Sequence, residues 1–288
     1  MIRSQWSSDA LNIDEDAFLS HLEATIPVSL ISTFGKLVEC EANDRLKDVL
    51  SRMDVEPFDH LPVRGGAQYV GLLSLYKARQ DDAETADKGL VVRCVMQPLN
   101  ADCLISAETG LLSFIVDADR APCRLVVRGT RVDGIVSLSD LQKLPVRAAL
   151  ITLITHLELL MTSVIKKTFP DNERLFDYIK SDARRHAAEA AWERLKEEDL
   201  VLDVTGVLLF CDKRDLLTLI DKSPWSKSKI ESNFKKMEKL RNSLAHAGDY
   251  AATRDNALAT IEVVRLTQAW IGKLRDFERE IEPSAKNM

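Results

Sequence analysis

The spacing of hydrophobic and polar residues changes near residue 145 and divides the chain into two regions. Between Ile31 and about Leu144, short apolar runs rich in β-branched residues alternate with short amphipathic segments. From Pro145 onward, apolar residues recur every three or four positions, which is the period of an α-helix. The pattern therefore predicts an α+β region followed by an all-α helical bundle.

The chain has 288 residues, a length that suits about two domains. We expect an N-terminal arm at 1–27 with a short helix near Ala17 to Ala24, the α+β region at 28–145, and the helical region at 146–288. Two folded regions of this size are large enough to bury apolar cores of their own.

Within the α+β region, the strongest strand patterns lie at Val63 and at residues 69–73, 124–127 and 134–136. Asp44 to Met53 is predicted to be a helix with Asn43 as its N-cap. The stretch 80–88 is polar and acidic and is predicted to be a loop.

Part of this region occurs twice. His60-Leu61-Pro62-Val63 is followed by the segment Val70 to Lys77, and Arg124 to Val127 is followed by the segment Asp133 to Asp140. Each copy contains a strand, a tight turn, a strand that begins Gly-apolar-apolar, and a helix start. A repeat of about 65 residues is too long for a solenoid unit and suits a tandem pair of modules.

These repeats resemble the cystathionine-β-synthase-type (CBS) domain over roughly residues 28–145. The resemblance implies two β-α-β modules that pair internally and bind an adenine nucleotide (ATP, ADP or AMP) between them. The family signature Gly-h-x-Ser/Thr-x-x-Asp, in which h is hydrophobic, matches Gly134, Ser137 and Asp140. A carboxylate such as Asp140 can accept both ribose hydroxyls, and a hydroxyl such as Ser137 suits a phosphate.

Two observations limit this nucleotide site. Lys77 stands in the first repeat where Asp140 stands in the second, and an ammonium group cannot accept hydrogen bonds from ribose. We therefore expect at most one well-formed ribose site, or a first site that is used for phosphate. The alternative is structural, because Ser-x-x-Asp is also an ordinary helix cap.

In the helical region, the apolar spacing predicts a long helix with Pro145 at its first position, ending at Phe169-Pro170. Further helices are expected at about 173–179, 184–198, 213–220, 227–246 and 254–281.

The helix predicted at 227–246 ends in Arg-Asn-Ser-Leu-Ala-His. On a helical wheel Arg241 lies within the apolar stripe, while Asn242 and His246 lie on the opposite face, with His246 about 140° away from Arg241. An arginine can hold phosphate charge and a histidine can move a proton, so the segment can support phosphodiester chemistry. The alternatives are that Arg241 is half of an ion pair, for instance with Glu158, and that His246 is a cap or core residue.

The Arg-x4-His spacing resembles the motif of the HEPN family, which consists of small helical domains and includes many ribonucleases. The resemblance implies a homodimer with a composite cleft, in which the RNA 2′-hydroxyl attacks its own phosphate without a metal or catalytic cofactor. The products are a 2′,3′-cyclic phosphate and a 5′-hydroxyl. The resemblance implies that His246 is the general acid or base, that Arg241 stabilises the charge of the phosphate and that Asn242 orients the imidazole.

Charge is distributed unevenly along the chain. Of the net charge of −6, about −7 falls on 1–145 and about +1 on 146–288. The helix before His246 is locally basic, so Lys235, Lys236 and Lys239 are candidate contacts to an RNA backbone. A solvated lysine-rich face is the alternative for them.

The remaining composition argues against several other classes of protein. The five cysteines are scattered without a C-x-x-C pair and the five histidines lack ligand spacing, so we expect neither disulfides nor a metal site. The apolar run from Ala148 to Val164 contains His156 and Glu158 and is too short for a membrane span. We expect a cytoplasmic protein that does not contact a membrane.

The combined hypothesis is an endoribonuclease that is regulated by an adenine nucleotide and acts as a toxin, a defence effector or a stress nuclease. A further protein partner, such as an antitoxin or a regulator, fits that role. Two rival functions stay open. One is a non-enzymatic nucleotide sensor whose bundle only dimerises or docks a partner, and the other is a module that binds RNA without cutting it.

Overall fold

The structure is a computed structural model that describes residues 26–35, 37–53, 59–84, 89–169, 171–197, 203–221, 223–246 and 248–281. The arm predicted at 1–27, with its helix near Ala17 to Ala24, lies outside the described residues except for its last two positions. The described residues form two compact units. The α+β unit contains 26–146 and 251–261, and the helical unit contains 147–250 and 262–281.

The α+β unit contains eight described strands, which form two four-stranded sheets. Their bounds are β1 Thr33–Phe34, β2 Cys40–Glu41, β3 His60–Gly65, β4 Gln68–Ser74, β5 Gln97–Pro98, β6 Leu104–Ser106, β7 Cys123–Arg128 and β8 Arg131–Ser137. The four strands predicted from the sequence fall within β3, β4, β7 and β8. The α+β class of the first region is therefore confirmed.

Both sheets have the same internal plan. In one, β2 is parallel to β3 and β3 is antiparallel to β4; in the other, β6 is parallel to β7 and β7 is antiparallel to β8. Gly71 of β4 and Gly134 of β8 occupy equivalent positions 63 residues apart. The tight turns are equivalent as well, since Gly66 and Gly129 adopt φ of 70° and 61° at the two hairpin tips.

The two repeats also exchange their first strands. The fourth strand of each sheet comes from the start of the other repeat, because β5 pairs with β4 and β1 pairs with β8. A side chain at Gly71 or Gly134 would collide with the exchanged strand: a Cβ there would lie 2.4 Å from the carbonyl oxygen of Gln97 or 2.7 Å from that of Thr33. Glycine is needed at both positions because the strands pass so closely.

The helices of the α+β unit are α1 Leu46–Arg52, α2 Leu75–Glu84, α3 Val92–Val95 and α4 Leu111–Asp117, with a 3-10 helix at Leu138–Gln142. The predicted helix at 44–53 begins later, at Leu46, and Asn43 is not its N-cap. Arg45 holds that position without a side-chain bond, while the Asp44 carboxylate accepts a hydrogen bond from the Glu41 N–H. The predicted loop at 80–88 is partly wrong because α2 continues to Glu84.

The helical unit is built from α5 Leu144–Thr168, α6 Asp182–Glu197, α7 Phe210–Leu217, α8 Lys227–Ala245 and α9 Arg254–Ile281, whose first residues belong to the α+β unit. Pro145 is the second residue of α5, not the first, and the helix predicted at 173–179 is a 3-10 helix at Asn172–Tyr178. The helical class of the second region is confirmed.

Helix α8 buries the apolar stripe that the sequence predicted: Ile230, Phe234, Met237, Leu240 and Leu244. Phe234 packs edge-on against Trp270 of α9 with ring centroids 4.9 Å apart, and Trp225 packs edge-on against the same indole at 4.9 Å. This aromatic cluster fixes the rotation of α8 about its axis. The polar residues of α8 consequently face away from the core.

Helix α5 passes the length and composition test for a membrane span, and 56% of its most apolar window is buried within the structure. The sequence pattern from Ala148 to Val164 was expected to be too short to span a membrane. That expectation is wrong, because the helix that contains this run has 25 residues. A core helix of a soluble protein passes the same test.

Candidate functional site

The α+β unit encloses a cavity of about 460 Å³. The first repeat contributes Asp59 and His60 from the start of β3, and Ser74 and Tyr76 from the end of β4 and the start of α2. The second repeat contributes the equivalent elements through Pro122, Ser137, Leu138 and Ser139. The cavity therefore lies where matching ends of the two repeats meet.

A third wall of the cavity comes from a distant part of the chain. Ala251, Ala252, Thr253, Arg254 and Ala257, at and just before the start of α9, complete the lining. The backbone N–H of Ala251 donates to Oε1 of Gln142 at 3.1 Å, which ties this wall to the second repeat. The sequence analysis placed these residues in the helical region and did not foresee their role. The helix dipole favours anions in the first turn of a helix, so an arginine at the predicted start of α9 is an unusual feature that could have marked Arg254 as a candidate.

Of the three predicted nucleotide-binding residues, Ser137 lines the cavity and Asp140 lies directly behind it. Oδ2 of Asp140 accepts hydrogen bonds from the Ser137 backbone N–H at 2.6 Å and from the Ser137 hydroxyl at 3.2 Å. Oδ1 forms an ion pair with Lys143 Nζ at 2.7 Å. The pair Ser137 and Asp140 is thus a reciprocal helix cap, which is the structural alternative raised above.

Gly134, the third predicted residue, does not line the cavity. It lies in β8 against Thr33 and Phe34 of β1, where the close approach of the exchanged strand requires a glycine. Lys77 is exposed at the matching place in the first repeat and lies close enough to His60 to lower its pKa.

His60 is a half-buried titratable side chain of the cavity. Burial lowers its pKa below the ordinary value; the Asp59 carboxylate opposes the shift, and the positive charges of Arg254 and Lys77 add to it. Its Nδ1 atom is buried and has no hydrogen-bond partner among the described residues. A buried ring nitrogen without a partner leaves a hydrogen bond available for a bound molecule.

The second candidate site lies at the C-terminal end of α8. The helix ends at Ala245, so His246 is its C-cap with φ −97° and ψ 20°, and its backbone N–H donates to the Asn242 carbonyl at 3.1 Å. The side chains of Arg241, Asn242 and His246 are exposed. The His246 N–H still makes the helical bond to the residue four positions earlier, so the end of α8 does not by itself turn the His246 side chain toward Arg241.

Arg241 is not buried in the apolar stripe as its wheel position predicted. Its side chain is 44% exposed, and its Nε lies 3.7 Å from Oε2 of Glu158. The other oxygen of Glu158 binds Lys213 Nζ at 2.9 Å. The Glu158 partner considered in the sequence analysis is therefore present, although the longer distance makes it a weak ion pair. Nη1 of Arg241 also donates to Oδ1 of Asn242 at 3.5 Å.

Arg147 of α5 clamps the same helix end and was missed by the sequence analysis. Its guanidinium donates to the carbonyl of Leu244 at 2.6 Å and to that of Gly248 at 3.0 Å, and it lies 5.1 Å above the Tyr250 ring. These carbonyls have no partner within the helix, so a cation there satisfies them and complements the helix dipole. Arg147 thereby holds in place the segment that carries His246.

The three predicted RNA-backbone lysines are exposed on α8. Lys236 forms an ion pair with Glu262 at 2.7 Å. Within the described part of the chain, no carboxylate pairs with Lys235 or Lys239, so their charges are available.

Other reactive groups form no cluster in the described part of the chain. No three His, Cys, Asp or Glu side chains there are arranged to hold a metal ion, and all five cysteines are free thiols. Burial raises the pKa of Cys40 to about 12, which keeps that thiol protonated and unreactive.

No family model and no curated protein matches this chain. Solved structures of CBS-domain proteins resemble part of it. The CBS domain of the bacterial CNNM/CorC family Mg²⁺ transporter in complex with ATP is 19% identical with a TM-score of 0.36, over 44% of this chain and 92% of that one. CBSX2 in complex with AMP is 21% identical with a TM-score of 0.35, over 43% and 96%.

A hemolysin-like protein containing a CBS domain, from Oenococcus oeni PSU, is 14% identical with a TM-score of 0.36, over 45% of this chain and 95% of that one. The chain is thus similar to CBS-domain proteins in less than half of its length. These TM-scores lie below 0.5, so no conclusion about this chain rests on the likeness.

Proposed function

We propose that the α+β unit is a CBS-like sensor that binds an adenine nucleotide in its cavity. The observation that carries this proposal is the cavity itself, which forms where equivalent ends of the two repeats meet and is lined by the Ser74 and Ser137 hydroxyls. Its volume of about 460 Å³ suits a small ligand. The solved structures that resemble the chain include one with ATP and one with AMP.

Asp140 and Ser137 would contact the sugar and phosphate of the nucleotide. Oδ2 of Asp140 already accepts two hydrogen bonds from Ser137, so a ribose hydroxyl would take the place of the Ser137 hydroxyl at Oδ2 or bind Oδ1. Its ion pair with Lys143 would weaken or rearrange when ribose binds. Gly134 would not contact the ligand. It contributes to the fold, because the absence of a side chain lets β1 pack closely beside β8.

Binding is tested by titrating ATP, ADP, AMP and GTP into the full-length protein in a calorimeter. We expect an adenine nucleotide to bind and to raise the unfolding temperature, because a ligand that binds only the native state stabilises it. The Asp140→Asn variant should bind about tenfold more weakly, from the loss of a charge-assisted hydrogen bond. Asp133→Asn, a change of a half-exposed carboxylate on β8 that does not line the cavity, is the matched control.

Unchanged affinity in Asp140→Asn would remove that carboxylate from the site. Failure of all four nucleotides to bind the wild-type protein would contradict the sensor proposal.

A second candidate function is metal-independent RNA cleavage by the helical unit. The observation that favours it is the end of α8, where Arg241, Asn242 and His246 are exposed together and the helix terminates before the histidine. In this mechanism His246 takes the proton of the RNA 2′-hydroxyl, and the resulting oxyanion attacks the adjacent phosphorus. The bond to the 5′-oxygen breaks, and that oxygen takes a proton from the protonated imidazole or from water, which leaves a 2′,3′-cyclic phosphate and a 5′-hydroxyl end.

Arg241 would stabilise the negative charge on the five-coordinate phosphorus, and Asn242 would orient the reacting groups. Lys235 and Lys239, together with Lys236, would contact the phosphates of the RNA backbone. A homodimer would bring two copies of the motif to one cleft, as the resemblance to HEPN ribonucleases implies. The nucleotide sensor would then control cutting only if it favours one dimer state over another.

Cleavage is tested by incubating the protein in EDTA with a labelled RNA and with its 2′-deoxy counterpart. We expect the RNA alone to be cut, and we expect His246→Ala to abolish cutting without loss of stability because His246 is exposed. His186→Ala changes another exposed histidine and is the matched control. No cleavage with or without ATP and AMP would favour the rivals, a regulatory dimer that docks a protein partner or a non-cleaving RNA-binding module.

A toxin, defence or stress role with an antitoxin or regulator as partner follows only if the RNA is cut.

A further inference from the structure

We infer that Arg254, at the start of the last helix, recognises the phosphate of the ligand, so that the cavity selects nucleotides over nucleosides. This inference rests on the proposed nucleotide site and adds a residue from outside the repeat region to it.

Arg254 is held at the cavity by the structure of its own segment. The Thr253 hydroxyl accepts a hydrogen bond from the Asn256 N–H at 3.2 Å, and the Thr253 carbonyl accepts one from the Ala257 N–H at 2.9 Å. These bonds cap α9 and make Arg254 its first residue. Ala251 and Ala257 are buried on either side, so the arginine backbone is anchored at the cavity wall.

The charge of Arg254 is not neutralised within the structure. No carboxylate forms an ion pair with it in the described part of the chain. Asp59 contributes a carboxylate to the same cavity, yet the two do not pair. A guanidinium placed in the first turn of a helix also opposes the helix dipole. Arg254 is exposed and needs no partner within the protein, so its guanidinium is available to an anion that binds in the cavity.

The other polar groups of the cavity are also suited to a phosphate. The Ser74, Ser137 and Ser139 residues line the cavity, and the unpartnered Nδ1 of His60 lies nearby. The Ser137 hydroxyl donates to Asp140 and lies 2.7 Å from the Ser139 hydroxyl, so these two hydroxyls would rotate to donate to a phosphate. His60 and Arg254 both line the cavity, and the positive charge of Arg254 adds to the lowering of the His60 pKa. A guanidinium with surrounding hydroxyls provides the planar, multidentate donors that phosphate oxygens accept. The apolar lining, Pro122 and Leu138, is left for the base.

The inference is tested with the full-length protein by titrating adenosine, AMP and ATP into the wild type, Arg254→Gln and Arg254→Lys. Arg254→Gln should lower the affinity for AMP by about tenfold to a hundredfold and leave the affinity for adenosine unchanged. Arg254→Lys, which keeps the charge, should recover part of the loss. Arg279→Gln removes an exposed arginine from the other end of α9 and is the matched control.

Circular dichroism melting of each variant separates a lost contact from a lost fold, since a folded Arg254→Gln that binds adenosine normally has an intact cavity. Equal losses for adenosine and AMP, or no loss for either, would overturn the inference. If the wild type binds no adenine compound, the proposed function fails, and pyrophosphate becomes the probe. Binding of pyrophosphate that depends on Arg254 would then support the phosphate assignment alone, and its absence would overturn that assignment too.

Discussion

At the residue scale, Glu158 is the carboxylate that contacts two cations, Lys213 of α7 and Arg241 of α8. Lys213 is nearly buried, with a side chain 9% exposed, while Arg241 is 44% exposed. The same carboxylate therefore forms a buried ion pair with Lys213 and an exposed ion pair with Arg241, and water screens only the exposed one. Since a buried charge without a partner is costly and an exposed one is not, the two contacts differ in their contribution to stability.

We predict that Glu158→Gln lowers the free energy of unfolding by about 1–3 kcal/mol, because it leaves the Lys213 ammonium with only a neutral acceptor. Arg241→Gln should change it by less than about 1 kcal/mol. Urea unfolding followed by tryptophan fluorescence measures both, since Trp225 and Trp270 lie in the helical unit. If Arg241→Gln is the more destabilising change, the arginine is structural and its catalytic role is in doubt.

At the element scale, the exchange of β1 and β5 between the two repeats depends on the glycine that faces each of them. A Cβ at Gly134 would lie 2.7 Å from both the Thr33 carbonyl oxygen and Cδ1 of Phe34. Contacts that close require the exchanged strand to move. A strand of two residues has few other bonds to hold it in place.

We predict that Gly134→Ala destabilises the α+β unit by about 1–3 kcal/mol through overpacking. Gly272→Ala is the matched control, because a Cβ there meets nothing within 4 Å and alanine favours a helix. Thermal unfolding by circular dichroism gives the comparison. A Gly134→Ala protein as stable as the wild type would mean that β1 is not held as closely as the structure indicates.

The elements that the sequence predicted correctly are those with long, regular patterns. The stripe from Ile230 to Leu244 repeats over about four turns, and α9 was predicted with its observed bounds. The two-residue strands β1 and β5 carry no such pattern, so the strand exchange could not be predicted. The contact of Arg147 with the end of α8 joins residues about a hundred positions apart, and no local signal reports it.

At the scale of the whole molecule, the sequence predicted only a part of each candidate site. Each site combines a local motif, which the sequence reveals, with residues that are distant along the chain. Ser137 and Asp140 form a local motif, of which Ser137 lines the cavity and Asp140 is hydrogen-bonded behind it. Arg254 is more than a hundred residues from them and belongs to a different periodic pattern. The pair Arg241 and Glu158 was foreseen as one alternative, because only a carboxylate could accompany a guanidinium at a position that the helical wheel placed in the core.

The grouping of residues 251–261 with the α+β unit bears on how the protein can be dissected. Both units are discontinuous in sequence, so the helical unit is interrupted by residues of its neighbour and a single cut near residue 146 does not separate two intact modules. A fragment that stops there keeps both repeats but loses Ala251, Arg254 and Ala257, and with them one side of the cavity. The nucleotide affinity of such a fragment would therefore be that of a cavity without one of its walls, and it would differ from the affinity of the full chain.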